Sequence, residues 1–347
     1  MKVIFKIFLA SGLILFLSAT SDKEQIKYIE THVHLQATYK EQGKLKTDWL
    51  STAEYTIQEM DKLGISKCLI MPPPQGTKNN NPYTYKELIP VIKKFPDHFA
   101  LVAGGGTLNL MIQQAIEEEE VTEAMKDKFK KTAQEIIDDG AVAFGEMTAL
   151  HLSFNPSHPY EVAPPDHPLF LELADISAKS GLPIDMHMEA VTKNIPLPSW
   201  FKNPPNPITL IANIPAFEKL LAHNKKAKIV WQHVGWDNTG HLTILLLDSL
   251  LKKHENLFIG LKCLQEGPSN VENRPLINDK LKTEWIGIVK KYPDRFMLGS
   301  DFFYVIPNKG KKMPDSSKES RMIVDQLPDG LQKKVSYINA MTVYNLK

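Results

Sequence analysis

Eight short apolar runs, most of them followed by a longer amphipathic stretch, constrain the fold of this chain more than any other feature. They are "KYIETHVH" (27–34), "SKCLIMPP" (66–73), "FALVAGGG" (99–106), "AVAFGEMT" (141–148), "PIDMHME" (183–189), "KIVWQHVG" (228–235), "LFIGLKCL" (257–264) and "RFMLGSDF" (295–302). Strands this apolar belong in a parallel sheet covered by helices. The stretches between them, such as "TAEYTIQEMDKLG", "HPLFLELADISAKSG", "LIANIPAFEKLLAHN", "HLTILLLDSLLKKH" and "LKTEWIGIVKKYP", mostly end near Gly or in Lys/His-rich last turns, as helices do. Eight such units in about 320 residues predict a closed α/β barrel of the (β/α)8 type. A doubly wound open sheet is the alternative. No composition break or Gly/Ser-rich linker divides the chain, so residues 24–347 read as one domain.

The stretch "EEEEVTEAMKDKFKKTAQEIIDDG" reads as a charged helical excursion with a solvated face. Two Pro-rich loops, "NPSHPYEVAPPDHP" and "IPLPSWFKNPPNP", are long for barrel connections, and long βα loops are where barrels build substrate pockets. "GGG" at 104–106 lacks a following Gly-Lys-Ser/Thr and reads as a tight turn. There is no Ser-centred nucleophile elbow.

At the N-terminus, Lys2 and Lys6 precede an apolar run from Ile7 to Leu17, and Ser18, Ala19, Thr20 and Ser21 follow. This is the pattern of a secretory signal peptide over residues 1–20, cleaved near Thr20 or Ser21. It predicts export to the periplasm or beyond, with no stable membrane insertion afterwards. An uncleaved anchor is the alternative, but the run is short for a span. No Cys follows it, which argues against a lipid anchor. Cys68 and Cys263, each inside an apolar run, read as buried thiols.

Charge narrows the partners. Lys plus Arg total 41 against 40 acids, which excludes a strong field for nucleic acid. A small-molecule substrate is expected, and a homo-oligomer is compatible with this composition. Only Arg274, Arg295 and Arg321 are arginines, a scarcity that matters because Arg is the usual bidentate clamp for carboxylates.

Chemistry gathers at the C-terminal ends of the runs. His32 and His34 are one residue apart on the first, and residues i and i+2 of a strand share a face. Two imidazoles would therefore project together. The fourth run carries Glu146, the fifth His187, the sixth His233 and the eighth Asp301. In a barrel these ends converge on one mouth. Any one has a bland explanation as a satisfied rim group; six metal-competent side chains at matching ends do not.

"ETHVHL", "DMHME", "WQHVGW" and "LGSDFF", in this order, resemble the amidohydrolase superfamily. The closing "LQKKVSYINAMTVYNL" is similar to the last helix of its amidohydrolase-related branch. The resemblance runs from about Ile26 to Leu346. It implies a metal-dependent TIM barrel, usually a hydrolase and in some relatives a non-oxidative decarboxylase. It also implies metal ligands at His32, His34, His187 and Asp301, with a catalytic histidine at His233. Binuclear members often bridge two metals with a carbamylated lysine on strand four, but "AVAFGEMTA" has no lysine. Glu146 could bridge instead, or support a mononuclear site.

These residue types suit Zn²⁺ or another divalent metal, one ion with a second where Glu146 bridges. Such an ion generates hydroxide from water near neutral pH. Asp301 would take the water's proton and pass it to the leaving group, and His233 would sit beside the polarised carbonyl. Lys262 reads as a substrate-anion contact or a snorkelling rim lysine. His151 reads as a mouth-lining residue or a loop cap. The expected activity is hydrolysis of a carbonyl C–O or C–N bond, as in a lactone or cyclic amide. Decarboxylation is the alternative, and a secreted metal-binding barrel without catalysis is a third.

Overall fold

The computed structural model describes residues 25–78, 83–156, 158–202, 205–267, 270–310 and 315–347. The leader read at 1–20 lies outside the described residues. Among those residues no helix is long and apolar enough to cross a membrane.

Eight parallel strands close on themselves: β1 (Tyr28–Leu35), β2 (Ile65–Ile70), β3 (Phe99–Gly104), β4 (Ala143–His151), β5 (Ile184–Met188), β6 (Ile229–Val234), β7 (Leu257–Leu261) and β8 (Phe296–Leu298). Each pairs with its sequence neighbour, and Glu30 opposite Leu298 closes β8 onto β1. The barrel reading holds and the open sheet does not. All eight residues of β1 are buried, because one face fills the barrel and the other meets the helices.

Helices α1 (Trp49–Leu63), α2 (Ile89–Lys94), α3 (Leu108–Glu118), α4 (Glu123–Asp138), α5 (Pro168–Ser180), α6 (Ile214–His223), α7 (Ile244–Lys253), α8 (Thr283–Lys291) and α9 (Ser316–Gln326) surround it. In α1, Ala53, Thr56 and Met60 recur at helical spacing and are buried. Asp48 Oδ1 caps its start by accepting the Ser51 N–H, and Gly64 at φ 70° ends it.

Two local expectations are corrected. The charged stretch is two helices, broken at Glu119 (φ 54°) and restarted by the Thr122 cap, and α4 buries Phe129, Ala133 and Ile136 on its inner face. The eighth strand is shorter than 295–302. It leaves the ladder after Leu298, turns at Asp301, and resumes beside β1 as Phe302–Tyr304. The Pro-rich loops carry structure of their own: Glu161–Val162 pairs antiparallel with the end of β4, and Ile195–Pro196 pairs with Thr209–Leu210. The glycine run is a tight place, since a Cβ on Gly105 would lie 2.5 Å from the Pro72 carbonyl oxygen. Cys68 and Cys263 are both free thiols and buried.

Candidate active site

His32 and His34 project together from β1 into the barrel mouth. Each is tethered through Nδ1, His32 to Asp185 Oδ1 at 2.9 Å and His34 to the Met71 carbonyl oxygen at 3.0 Å. With Nδ1–H donating, each neutral ring has its Nε2 lone pair left over; burial opposes charge on His32, but Asp185 and Glu146 outweigh it and raise that imidazole well above its ordinary value, so binding an ion there would displace a proton. Both Nε2 atoms are buried and have no hydrogen-bond partner among the described residues. Asp185 reaches His32 because Gly145 stands beside it; a Cβ there would lie 2.6 Å from the Asp185 Cβ.

The two Nε2 atoms lie 3.4 and 3.5 Å from Glu146 Oε2, and 3.9 and 3.2 Å from Asp301 Oδ1. Ligand atoms held tetrahedrally at about 2.0–2.1 Å from one ion stand roughly 3.3–3.4 Å apart. Three of these separations, 3.4, 3.5 and 3.2 Å, are close to that spacing, and ligand atoms of His32, His34 and Asp301 in one group, and of His32, Glu146 and His233 in another, lie within 4.8 Å of one another. Two imidazole nitrogens and two carboxylate oxygens suit a divalent first-row ion.

Glu146 is the hub. Its other oxygen, Oε1, faces His187 Nδ1 at 2.7 Å and His233 Nε2 at 3.2 Å. One carboxylate thus stands between two pairs of histidines, one pair on each oxygen. Asp301 Oδ2 receives Lys262 Nζ at 2.6 Å and lies 3.7 Å from His233 Nδ1. The Lys262 ammonium also stands 3.6 Å from the Trp236 ring centroid. Lys262 is therefore a buried member of the site and does not snorkel to water.

His233 and Asp301 both take left-handed backbone, at φ 63° and 54°. For non-glycine residues this costs on the order of 1–3 kcal/mol, and such strain clusters at functional sites. The Asp301 N–H is held by the His32 carbonyl at 2.9 Å.

Charge is distributed unevenly. Burial pushes the His233 imidazole down to about 3, and nearby His187 adds to this against the pull of Asp301, so the ring is neutral at neutral pH. Burial opposes charge on Glu146, but His32, His187 and His233 outweigh it and hold the carboxyl well below its ordinary value. Asp301 behaves the same way: burial would raise it, and Lys262, His233 and His34 hold it down.

The structure brings together all six residues read at the strand ends, and places Lys262, read as an anion contact or rim lysine, beside Asp301 among them. His151 is set apart on the wall. Its Nδ1 meets the Pro159 carbonyl oxygen at 3.0 Å, and its ring packs against His158 and His187. These residues open onto a cavity of about 310 Å³, whose walls include Trp236, Phe154, Leu264 and Phe303. Sequence reasoning passed over Asp185 and Glu189, although each lies two residues from His187 and so shares its alternation. It also passed over His158, Trp236 and Asn238, which sit in loops where no periodicity marks them.

No family model matches the chain, and no curated protein matches it. Solved structures do. A probable 2-pyrone-4,6-dicarboxylic acid hydrolase from Acinetobacter baumannii, with citric acid bound, superposes with a TM-score of 0.52 at 14% identity, covering 92% of this chain and 100% of that one. An amidohydrolase II structure gives 0.51 at 13% identity, with 92% and 100% covered. A 4-oxalomesaconate hydratase from Rhodopseudomonas palustris gives 0.50 at 12%, with 92% and 96% covered. The chain has the barrel fold that these amidohydrolase-type enzymes share.

Proposed function

We propose that this chain is a metal-dependent hydrolase that opens a carbonyl C–O or C–N bond in a lactone, cyclic amide or similar compound. The observation that carries this reading is the pair of buried, partnerless Nε2 atoms of His32 and His34, which converge with Asp301 in one group of ligand atoms while His32 also meets Glu146 and His233 in a second, with Glu146 Oε2 3.4 and 3.5 Å from the two Nε2 atoms. His32, His34, Glu146 and Asp301 would hold one divalent ion, zinc or a metal of like preference. His187 and His233 face the far oxygen of Glu146, and the group His32, Glu146 and His233 would be the place for a second ion. When bound, such an ion supplies Lewis acidity and lowers the pKa of a coordinated water from about 15.7 towards about 7.

The chain's own groups do the rest. Asp301 is ionised and takes the proton of the attacking water, then returns it to the leaving oxygen or nitrogen. Lys262 fixes that carboxylate at 2.6 Å. His233, neutral and beside Asp301, offers its ring to the substrate carbonyl. Trp236, Phe154, Leu264 and Phe303 give the cavity apolar walls beside these groups.

Hydrolysis is favoured over loss of CO₂ by the cations of the cavity. Lys262 is the one lysine or arginine among its described lining residues, and its charge is already matched by Asp301. Beyond the metal, a carboxylated substrate would find no unpaired lysine or arginine among these residues. The test is product analysis with the metal-loaded protein against lactones, cyclic amides and aromatic carboxylates. Ring-opened acids are expected; CO₂ release from the aromatic acids, with no ring opening, overturns the reading. We also propose export, on the leader pattern at 1–20, which N-terminal sequencing of the native protein checks.

A further inference from the structure

One carboxylate of the cavity has no part in the chemistry above. Glu189 follows β5 directly, is buried to 8% exposure, and lines the cavity. Its Oε1 accepts Asn238 Nδ2 at 2.6 Å, and Asn238 Oδ1 in turn accepts the Trp236 indole N–H at 2.6 Å. This relay from the loop after β6 fixes the orientation of the carboxylate. Among the described residues, Oε2 accepts no hydrogen bond. A held acceptor with one oxygen free, in a cavity whose wall includes Trp236, Phe154 and Leu264, recognises a donor on a molecule with an apolar body. When ionised it also repels a second carboxylate.

We propose that Glu189 is a specificity-determining residue, whose free oxygen binds a positively charged N–H donor of the ammonium type on a substrate with an apolar ring-sized body. The proposal rests on the hydrolase reading for the carbonyl that this substrate carries, but its test does not use turnover.

The experiment is calorimetric titration of the metal-loaded protein, at about pH 8, with para-aminomethyl benzamide and para-methyl benzamide. The two probes share ring and carbonyl and differ in the charged donor. A hydrogen bond to a charged group is worth at least about tenfold in affinity. The wild type is expected to bind the aminomethyl probe tighter by about tenfold or more. In Glu189→Gln, which keeps the acceptor for Asn238, the two should fall within about threefold of each other. Equal or tighter binding of the methyl probe by the wild type overturns the proposal, as does no measurable binding of the aminomethyl probe. So does an unchanged preference in folded Glu189→Gln. The wild-type comparison decides by itself if the variant does not fold. A clear preference in a protein that hydrolyses no carbonyl compound would sink the hydrolase reading and leave this one standing.

Discussion

Asp185 is the residue on which the first histidine of the pair depends. It is fully buried, and its Oδ1 accepts the His32 Nδ1–H at 2.9 Å while Oδ2 accepts from Gln232 Nε2. Asp185→Asn keeps the volume and one acceptor. It removes the charge from a buried, charge-assisted bond and turns an NH₂ group towards either His32 or Gln232, both of which are donors there. The new NH₂ must either face the His32 donor or turn the Gln232 amide over. Hydrogen bonds to charged groups contribute about 1.5–3 kcal/mol, or about 10- to 150-fold in an equilibrium constant. Carboxylates behind a ligating histidine typically tune metal affinity by about 10–100-fold. The two ranges agree, so we expect zinc affinity to fall by about 10–100-fold with the barrel intact. The assay is zinc titration against a competing chelator, with circular dichroism to confirm folding. A folded Asp185→Asn protein with wild-type affinity would refute the claim that this carboxylate holds His32 as a ligand.

The other residues make separate demands. Asp301→Asn should retain measurable metal yet lose at least about 10²-fold in kcat, the lower end of general acid–base contributions; a metal-holding variant at the wild-type rate removes Asp301 from proton transfer. Lys262→Met takes away the ammonium that opposes the effect of burial on Asp301, so that carboxyl should titrate higher and the acid limb of kcat/KM should move to higher pH. A superimposable profile counts against the pairing. Glu161 gives a stability test, because burial pushes its carboxyl from 4.5 up to about 7, against its hydrogen bond from Asn109. The folded form keeps a proton that the unfolded chain releases, so this stabilisation is complete below about pH 4.5 and is lost as pH rises through about 7. Wild type should lose up to about 3 kcal/mol over that window relative to Glu161→Gln, measured by urea unfolding at about pH 5 and pH 8; parallel pH dependences would contradict this.

The barrel was legible because its strands are buried on both faces and so read as nearly unbroken apolar runs. The six converging side chains were legible for a related reason. Strand alternation pairs His32 with His34, and the shared polarity of eight parallel strands puts Glu146, His187, His233 and Asp301 at one mouth. What alternation cannot report is partnership. That Glu146 splits its oxygens between two histidine pairs, that Lys262 salt-bridges Asp301, and that Asp185 reaches across from β5 to His32 are contacts between distant segments. The end of β8 was misplaced because Asp301 turns to positive φ, which its residue type permits but does not announce. Trp236, Asn238 and His158 come from loops, whose positions depend on turns rather than on a repeating pattern.

The central claim is that His32 and His34 share a metal ion with Glu146 and Asp301. Anomalous scattering from crystals of the metal-loaded protein tests it most directly. The account predicts a peak at bonding distance, about 2.0–2.2 Å, from Nε2 of both His32 and His34 and from a Glu146 oxygen. The absence of any peak between those atoms, or an ion bound only at the His151 and His158 wall, would contradict it.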